Sequence, residues 1–180
     1  RGVVSFEQRV VVAALADLID ALGGRAHVVG HDWGAVATYL LGGLYPERVV
    51  RAVAAAVPAP LALLRGMSMR QARRSSYMAF FQLRGVAERR AAANDFAYVR
   101  AKWRAWSPGW AFTEADFAPV AACFRVPGSL TNALRYYRSI GPALLLDGAG
   151  RRAAFGQLRV PTLVVAGADD GCMGVEVMQR

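Results

Sequence analysis

Gly30-His31-Asp32-Trp33-Gly34 stands between a short apolar run, Ala26-His27-Val28-Val29, and a helical pattern, Ala35-Val36-Ala37-Thr38-Tyr39-Leu40-Leu41. Small-x-acid-x-small at the junction of a strand and a helix is the plan of a nucleophile elbow, a strained turn that presents one side chain. The pattern implies that both glycines are required. Side chains at Gly30 and Gly34 are expected to collide with the neighbouring strand or helix. The simpler alternative for Asp32 is an ordinary helix N-cap, where Asp is favoured. The flanking glycines and the preceding strand favour the elbow.

Working outward, Phe6, Val10, Leu15, Leu18, Ile19 and Leu22 recur at helical spacing, and Gly23-Gly24 stops that helix. Ser5 and Gln8 fit a capping box at its start. Residues 26–30 read as a buried strand. The helix after the elbow runs to about Leu44, Tyr45-Pro46-Glu47-Arg48 breaks it, and Val49 to Val57 is a second strand-like run ending at Pro58. Helix, strand, turn, helix, strand is the rhythm of a parallel α/β sheet.

After Pro58 the pattern changes. No convincing strand occurs between about 59 and 157. Helices are expected through Ser68–Leu83, near Ala87–Ala93, through Phe96–Trp106, after Thr113 and through Ser129–Ile140, with Thr113 and Asp116 forming a capping box. Val160-Pro161-Thr162-Leu163-Val164-Val165-Ala166-Gly167 returns to buried-strand character. The organisation is therefore sheet (1–58), helical insertion (59–157), sheet (158–180).

Composition narrows the classes. The 180 residues are 55 % hydrophobic, yet no stretch reads as a membrane span. Prolines interrupt Ala52–Leu64, and Asp17 and Asp20 break Val10–Leu22. The net charge of +9 rests on scattered arginines with a single lysine, Lys102. No nucleic-acid-binding motif accompanies it, so the charge reads as an Arg/Ala-rich composition rather than a nucleic-acid footprint. Cys123 and Cys172 form no metal-spaced or redox pair. No cofactor or metal is implied, and a reducing cytoplasm is the expected location.

The elbow, the Tyr45-Pro46-Glu47-Arg48-Val49 stretch and the returning strand followed by Gly167-Ala168-Asp169-Asp170 together resemble the α/β-hydrolase fold: a mostly parallel sheet flanked by helices, with an inserted all-helical cap. An Asp elbow followed by Trp resembles the epoxide hydrolase and haloalkane dehalogenase branch. The resemblance implies a carboxylate nucleophile, Asp32. A carboxylate attacking an sp3 carbon makes an ester that water can cleave, whereas a serine would leave a stable ether. The helix N-terminus at Asp32 favours the ionised carboxylate, and the Trp33 backbone N–H is the expected oxyanion donor.

The acid that orients the catalytic base is placed by resemblance at Asp170, with Asp169 as the alternative; a loop or cap role is the simpler reading of the pair. Tyr77-Met78-Ala79-Phe80-Phe81-Gln82 resembles the first tyrosine motif of soluble epoxide hydrolases. Leu134-Arg135-Tyr136-Tyr137-Arg138 resembles the second. Tyr77 and Tyr137 would then donate to the epoxide oxygen. The alternative is that they only pack the cap. Trp33, Phe80 and Phe81 are the expected substrate-binding residues, around a small lipophilic epoxide or alkyl halide.

Only two histidines occur, His27 within the first strand and His31 beside the nucleophile. Neither is placed to activate a water behind an Asp32 ester. The resemblance implies a base after residue 180 and a second oxyanion loop before residue 1. The expectation is therefore an internal portion of a hydrolase that cannot turn over alone. A haloalkane dehalogenase using the same Asp is the close alternative. A non-catalytic member or a basic binding module is the alternative of another class.

Overall fold

A computed structural model describes residues 7–140, 148, 156 and 158–179. The Ser5 capping box lies outside them. The expected rhythm is present: α1 (Gln8–Ala21), β1 (Ala26–His31), α2 (Trp33–Leu44), a 3-10 turn (Pro46–Arg48) and β2 (Val49–Ala55). The helices α3 (Pro60–Arg65), α4 (Met69–Arg74), α5 (Ser76–Phe80), α6 (Val86–Trp106), α7 (Glu114–Arg125) and α8 (Ser129–Arg138) follow, then β3 (Thr162–Val165) and a short α9 (Val175–Met178).

The chain divides into two compact units. One comprises residues 1–67, 139–168 and 175–180; the other comprises 68–138 and 169–174. The helix α3 and residues 59–67 thus group with the sheet, and the short segment 169–174 groups with the helices.

In the sheet unit the strands run in the order β1-β2-β3, all parallel. Val12, Ala16 and Ile19 of α1 meet Ala37, Leu40 and Leu41 of α2, with Val49, Ala52 and Val160 closing the core. The Pro46–Arg48 turn is fastened to α1 by a two-pronged bond. Arg48 Nε and Nη2 donate to the two Asp20 carboxylate oxygens at 2.8 and 3.0 Å, and the guanidinium lies over the Tyr45 ring.

Burial of the strands departs from expectation. Neither β1 nor β3 is a buried strand: Val29 is 76 % exposed and Leu163 61 %. The register explains it. Val29, Val53 and Leu163 lie abreast on the sheet, as do His31, Ala55 and Val165. Residues alternate between faces along a strand. Ala52 and Ala54 therefore point the other way, into the buried side.

In the helical unit, no strand occurs among the described residues. The single helix expected over 68–83 is two, parted at Ser75, whose φ of −85° and ψ of 1° leave the helical region. The break expected between Ala93 and Phe96 is a turn within α6. Asn94, Asp95 and Phe96 all have positive φ, at 51°, 50° and 62°. That conformation is costly for side chains, and ion pairs fix it: Asp95 binds both Arg100 and Arg125, which hold its carboxyl below the usual range. The Thr113–Asp116 capping box forms in full: the Thr113 N–H donates to Asp116, and the Asp116 N–H donates to Thr113 Oγ1.

Candidate active site

Asp32 takes φ 53° and ψ −119°, a strained conformation worth on the order of 1–3 kcal/mol. Backbone hydrogen bonds hold the turn. The Asp32 N–H donates to the Ala55 carbonyl at 3.2 Å, while its carbonyl accepts from Ala35 at 3.0 Å and Val36 at 3.3 Å. The carboxylate makes no capping hydrogen bond and is exposed. An ordinary N-cap would spend it on the N2 or N3 amide, so the capping alternative does not describe this residue.

The two glycines differ. A Cβ on Gly30 would lie 2.1 Å from the Gly34 carbonyl oxygen and 2.4 Å from Thr38 Oγ1, which itself donates to that carbonyl at 2.8 Å. Gly30 is required, as expected. Gly34 is not: among the described residues nothing comes within 4 Å of a Cβ built there. Gly34 lies on the exposed side of the first turn of α2, so the expectation of a clash fails. Trp33 is the first residue of α2 and is half-buried.

A second strained turn follows β2. Ala56 has φ 67° and donates its N–H to Val165 at 2.9 Å. Nothing in its residue type signalled this. Behind the elbow, the buried Tyr39 hydroxyl donates to the Val57 carbonyl at 3.0 Å, and burial pushes that phenol up to about 12. Among the described residues neither His27 nor His31 makes a side-chain hydrogen bond; both are exposed on β1.

The helical unit gathers Tyr77, Tyr137, Phe80 and Phe81 into one aromatic cluster. The Tyr77 and Tyr137 rings, from α5 and α8, meet edge to face with centroids 5.6 Å apart. Phe81 contacts both, at 5.5 and 4.9 Å, and Phe80 lies 5.9 Å from Phe81. The Tyr77 hydroxyl lies 3.5 Å from Cys172 Sγ. Arg138 braces the cluster. Its Nε donates to the Phe81 carbonyl at 2.9 Å, and its Nη1 pairs with Glu88 at 2.6 Å. That pairing, helped by amides at the start of α6, brings the Glu88 carboxyl down to about 2.

Asp170 lies in the 169–174 segment. Its Oδ1 accepts from the Cys172 and Met173 amides at 2.7 and 2.9 Å, so the carboxylate closes its own turn. Oδ2 has no hydrogen-bond partner among the described residues. Asp169 is exposed and its side chain is unpartnered among the same residues. The segment is clamped by residues that the sequence did not single out. Gln71, fully buried, donates to the Cys172 carbonyl at 2.9 Å and accepts from the Gly174 N–H at 3.1 Å. The Gly171 N–H donates to the Trp106 carbonyl at 3.0 Å, and a Cβ on Gly171 would fall 1.8 Å from the Ala105 oxygen. Ser68-x-x-Gln71 carries a capping-box signature, and Ser68 does accept from the Gln71 N–H at 3.1 Å. Only the fold reveals that the Gln71 amide serves a segment a hundred residues away.

The described residues contain no cluster of three His, Cys, Asp or Glu side chains able to hold a metal, and no helix long and apolar enough to cross a membrane. The model of the alpha/beta hydrolase family matches residues 3–180. This chain belongs to the alpha/beta hydrolase family. Within that family it is similar to epoxide hydrolases. Epoxide hydrolase 4 of Mus musculus is 27 % identical over 183 residues, covering 97 % of this chain and 49 % of that protein. Epoxide hydrolase 1 of Caenorhabditis elegans is 30 % identical over 170 residues, covering 90 % and 41 %. The crystal structure of the Bacillus megaterium epoxide hydrolase in complex with an inhibitor aligns at a TM-score of 0.76 and 25 % identity, covering 99 % of this chain and 64 % of that one. The chain spans a little under half the length of these two curated relatives.

Proposed function

We propose that the protein carrying this chain opens small lipophilic epoxides to vicinal diols. Asp32 is the nucleophile. Its carboxylate attacks a ring carbon, the carbon–oxygen bond breaks, and the new alkoxide takes a proton from Tyr77 or Tyr137. Water then attacks the ester carbonyl as the base takes one of its protons, and the Trp33 amide N–H stabilises the oxyanion. The acyl–oxygen bond breaks, the base passes its proton to the departing diol oxygen, and the proton left on the Asp32 carboxyl returns to the tyrosinate, restoring both carboxylate and phenol. Asp170 orients the base for this second step through Oδ2, its anchored Oδ1 holding the group in place. Neither His27 nor His31, both exposed on β1, is assigned the role of base. Phe80, Phe81 and Trp33 supply apolar walls.

The observation that carries this reading over a dehalogenase is the convergence of Tyr77 and Tyr137, sixty residues apart in sequence, with rings 5.6 Å apart. Halide release needs no proton donor for an alkoxide, whereas epoxide opening does. The similarity to several epoxide hydrolases supports the same choice.

The test uses full-length protein with styrene oxide and 1-chlorobutane. Diol formation that falls at least a hundredfold in Tyr77→Phe/Tyr137→Phe supports the proposal, and faster turnover of the chloroalkane, insensitive to both changes, overturns it. Intact-mass measurement adds a second arm. Styrene oxide should leave a covalent adduct on the 180-residue chain that is lost in Asp32→Asn.

A further inference from the structure

Lys102 is the chain's only lysine among 22 basic residues, and the reaction outlined above gives it no task. It is half-buried in the second half of α6, and Tyr98, Lys102 and Trp106 follow at four-residue spacing on one face. Its Nζ lies 5.5 Å from the ring centroids of both Tyr77 and Tyr98 and 6.0 Å from that of Trp106. No carboxylate among the described residues pairs with it. The ammonium therefore faces aromatic rings rather than a counter-ion, and one of those rings carries the phenol assigned to the epoxide oxygen.

We propose that Lys102 is a positioning residue for ring opening: its ammonium, seated over the Tyr77 ring, stabilises that phenol as it gives up its proton. This rests on the reading of Tyr77 as proton donor. A cation over a neutral ring is attracted by the quadrupole alone. When the proton leaves, the phenolate carries a full negative charge, centred on its oxygen and partly shared with the ring, and the attraction becomes Coulombic. The difference favours proton transfer, so the cation acts on the transition state more than on the resting site. At about 5.5 Å and an effective dielectric of about 40, that difference moves a titration by about one pH unit.

Other groups face Tyr77. Tyr137 on α8 and the Cys172 thiol in the 169–174 segment are both neutral partners when protonated. The charges of Arg138 and Glu88, which brace Phe81, are paired with each other. The Tyr77 ring itself is buried. Lys102 is the one unpaired cation placed over the Tyr77 ring among the described residues.

The test follows the 13Cζ resonance of Tyr77 through a pH titration of the full-length protein, assigned with Tyr77→Phe. In Lys102→Met the midpoint should rise by about one pH unit, and in Lys102→Arg, which keeps the cation, it should stay near the wild-type value. The kcat for styrene oxide should fall about tenfold in Lys102→Met and recover in Lys102→Arg, with KM unchanged. If Lys102→Met does not fold, Lys102→Gln takes its place. A midpoint that stays put in the neutral variants, or moves equally in Lys102→Arg, overturns the proposal. Absence of diol from the wild type overturns the epoxide reading instead, whatever the resonance does.

Discussion

The two turns that carry the candidate carboxylates are built in opposite ways. The Asp32 turn is local. Gly34, Ala35, Val36, Thr38 and Ala55 make it, its backbone is strained, and its carboxylate is unspent. The Asp170 turn is closed by its own carboxylate and held by Gln71 and Trp106, distant in sequence. A carboxylate held clear of the backbone suits a group that must form a bond. One anchored through a single oxygen suits a group that orients a neighbour through the other.

The contrast can be broken most sharply at its glycines. Gly30→Ala and Gly171→Ala each force a Cβ into a backbone carbonyl, and each should lose about 3 kcal/mol or more. Gly34→Ala, open on all sides among the described residues, should be neutral or gain about 0.5–1 kcal/mol from helix propensity. Chemical denaturation of the three variants would rank them; equal losses at Gly30 and Gly34 would contradict the local geometry of the elbow.

A smaller effect separates the two turns by mechanism. Gln71→Leu leaves the Cys172 carbonyl and the Gly174 N–H without their partners, which should cost about 2–3 kcal/mol. Amide exchange should speed up at residues 172–174 and stay unchanged at 32–36. Acceleration at both places would mean that the turns are not independent.

The smallest effect depends on pH. Glu88, brought down to about 2 by Arg138, has a folded-state pKa below its unfolded value of 4.5. Its contribution is therefore complete above that unfolded value and fades as pH falls toward the folded one. Arg138→Met should cost about 2 kcal/mol at pH 7, and the gap to wild type should shrink between about pH 4.5 and 2. A gap independent of pH would assign the loss to packing of the Arg138 side chain instead.

These regions also differ in how far the sequence could be read. The strained turn at Asp32 was legible because an acid and a preceding glycine at a strand–helix junction are facts about adjacent residues, although the clash expected at Gly34 does not occur. The interruption of α6 and the Thr113–Asp116 box were legible for the same reason. The parallel sheet followed from the order of runs, but the burial of β1 and β3 did not, because it depends on which neighbours and which layer each strand receives. Gln71 was not singled out, because in sequence only its spacing from Ser68 is visible and its partners at 172 and 174 lie a hundred residues away. The preference for Asp170 over Asp169 rests on resemblance alone, whereas its closure onto Cys172 and Met173 is a property of the folded turn. Three consecutive left-handed residues at Asn94–Phe96 depend on arginines from two helices.

The Gln71 clamp has a consequence for anyone rebuilding this molecule. A chimera made by transplanting residues 68–138 from a relative would bring a new side chain at position 71 against a native 169–174 segment. Unless the donor supplies a matching amide, the Cys172 carbonyl and Gly174 N–H lose their partners and Asp170 loses its mooring. The natural unit of exchange is therefore discontinuous, with six residues near the end of the chain travelling alongside the helices.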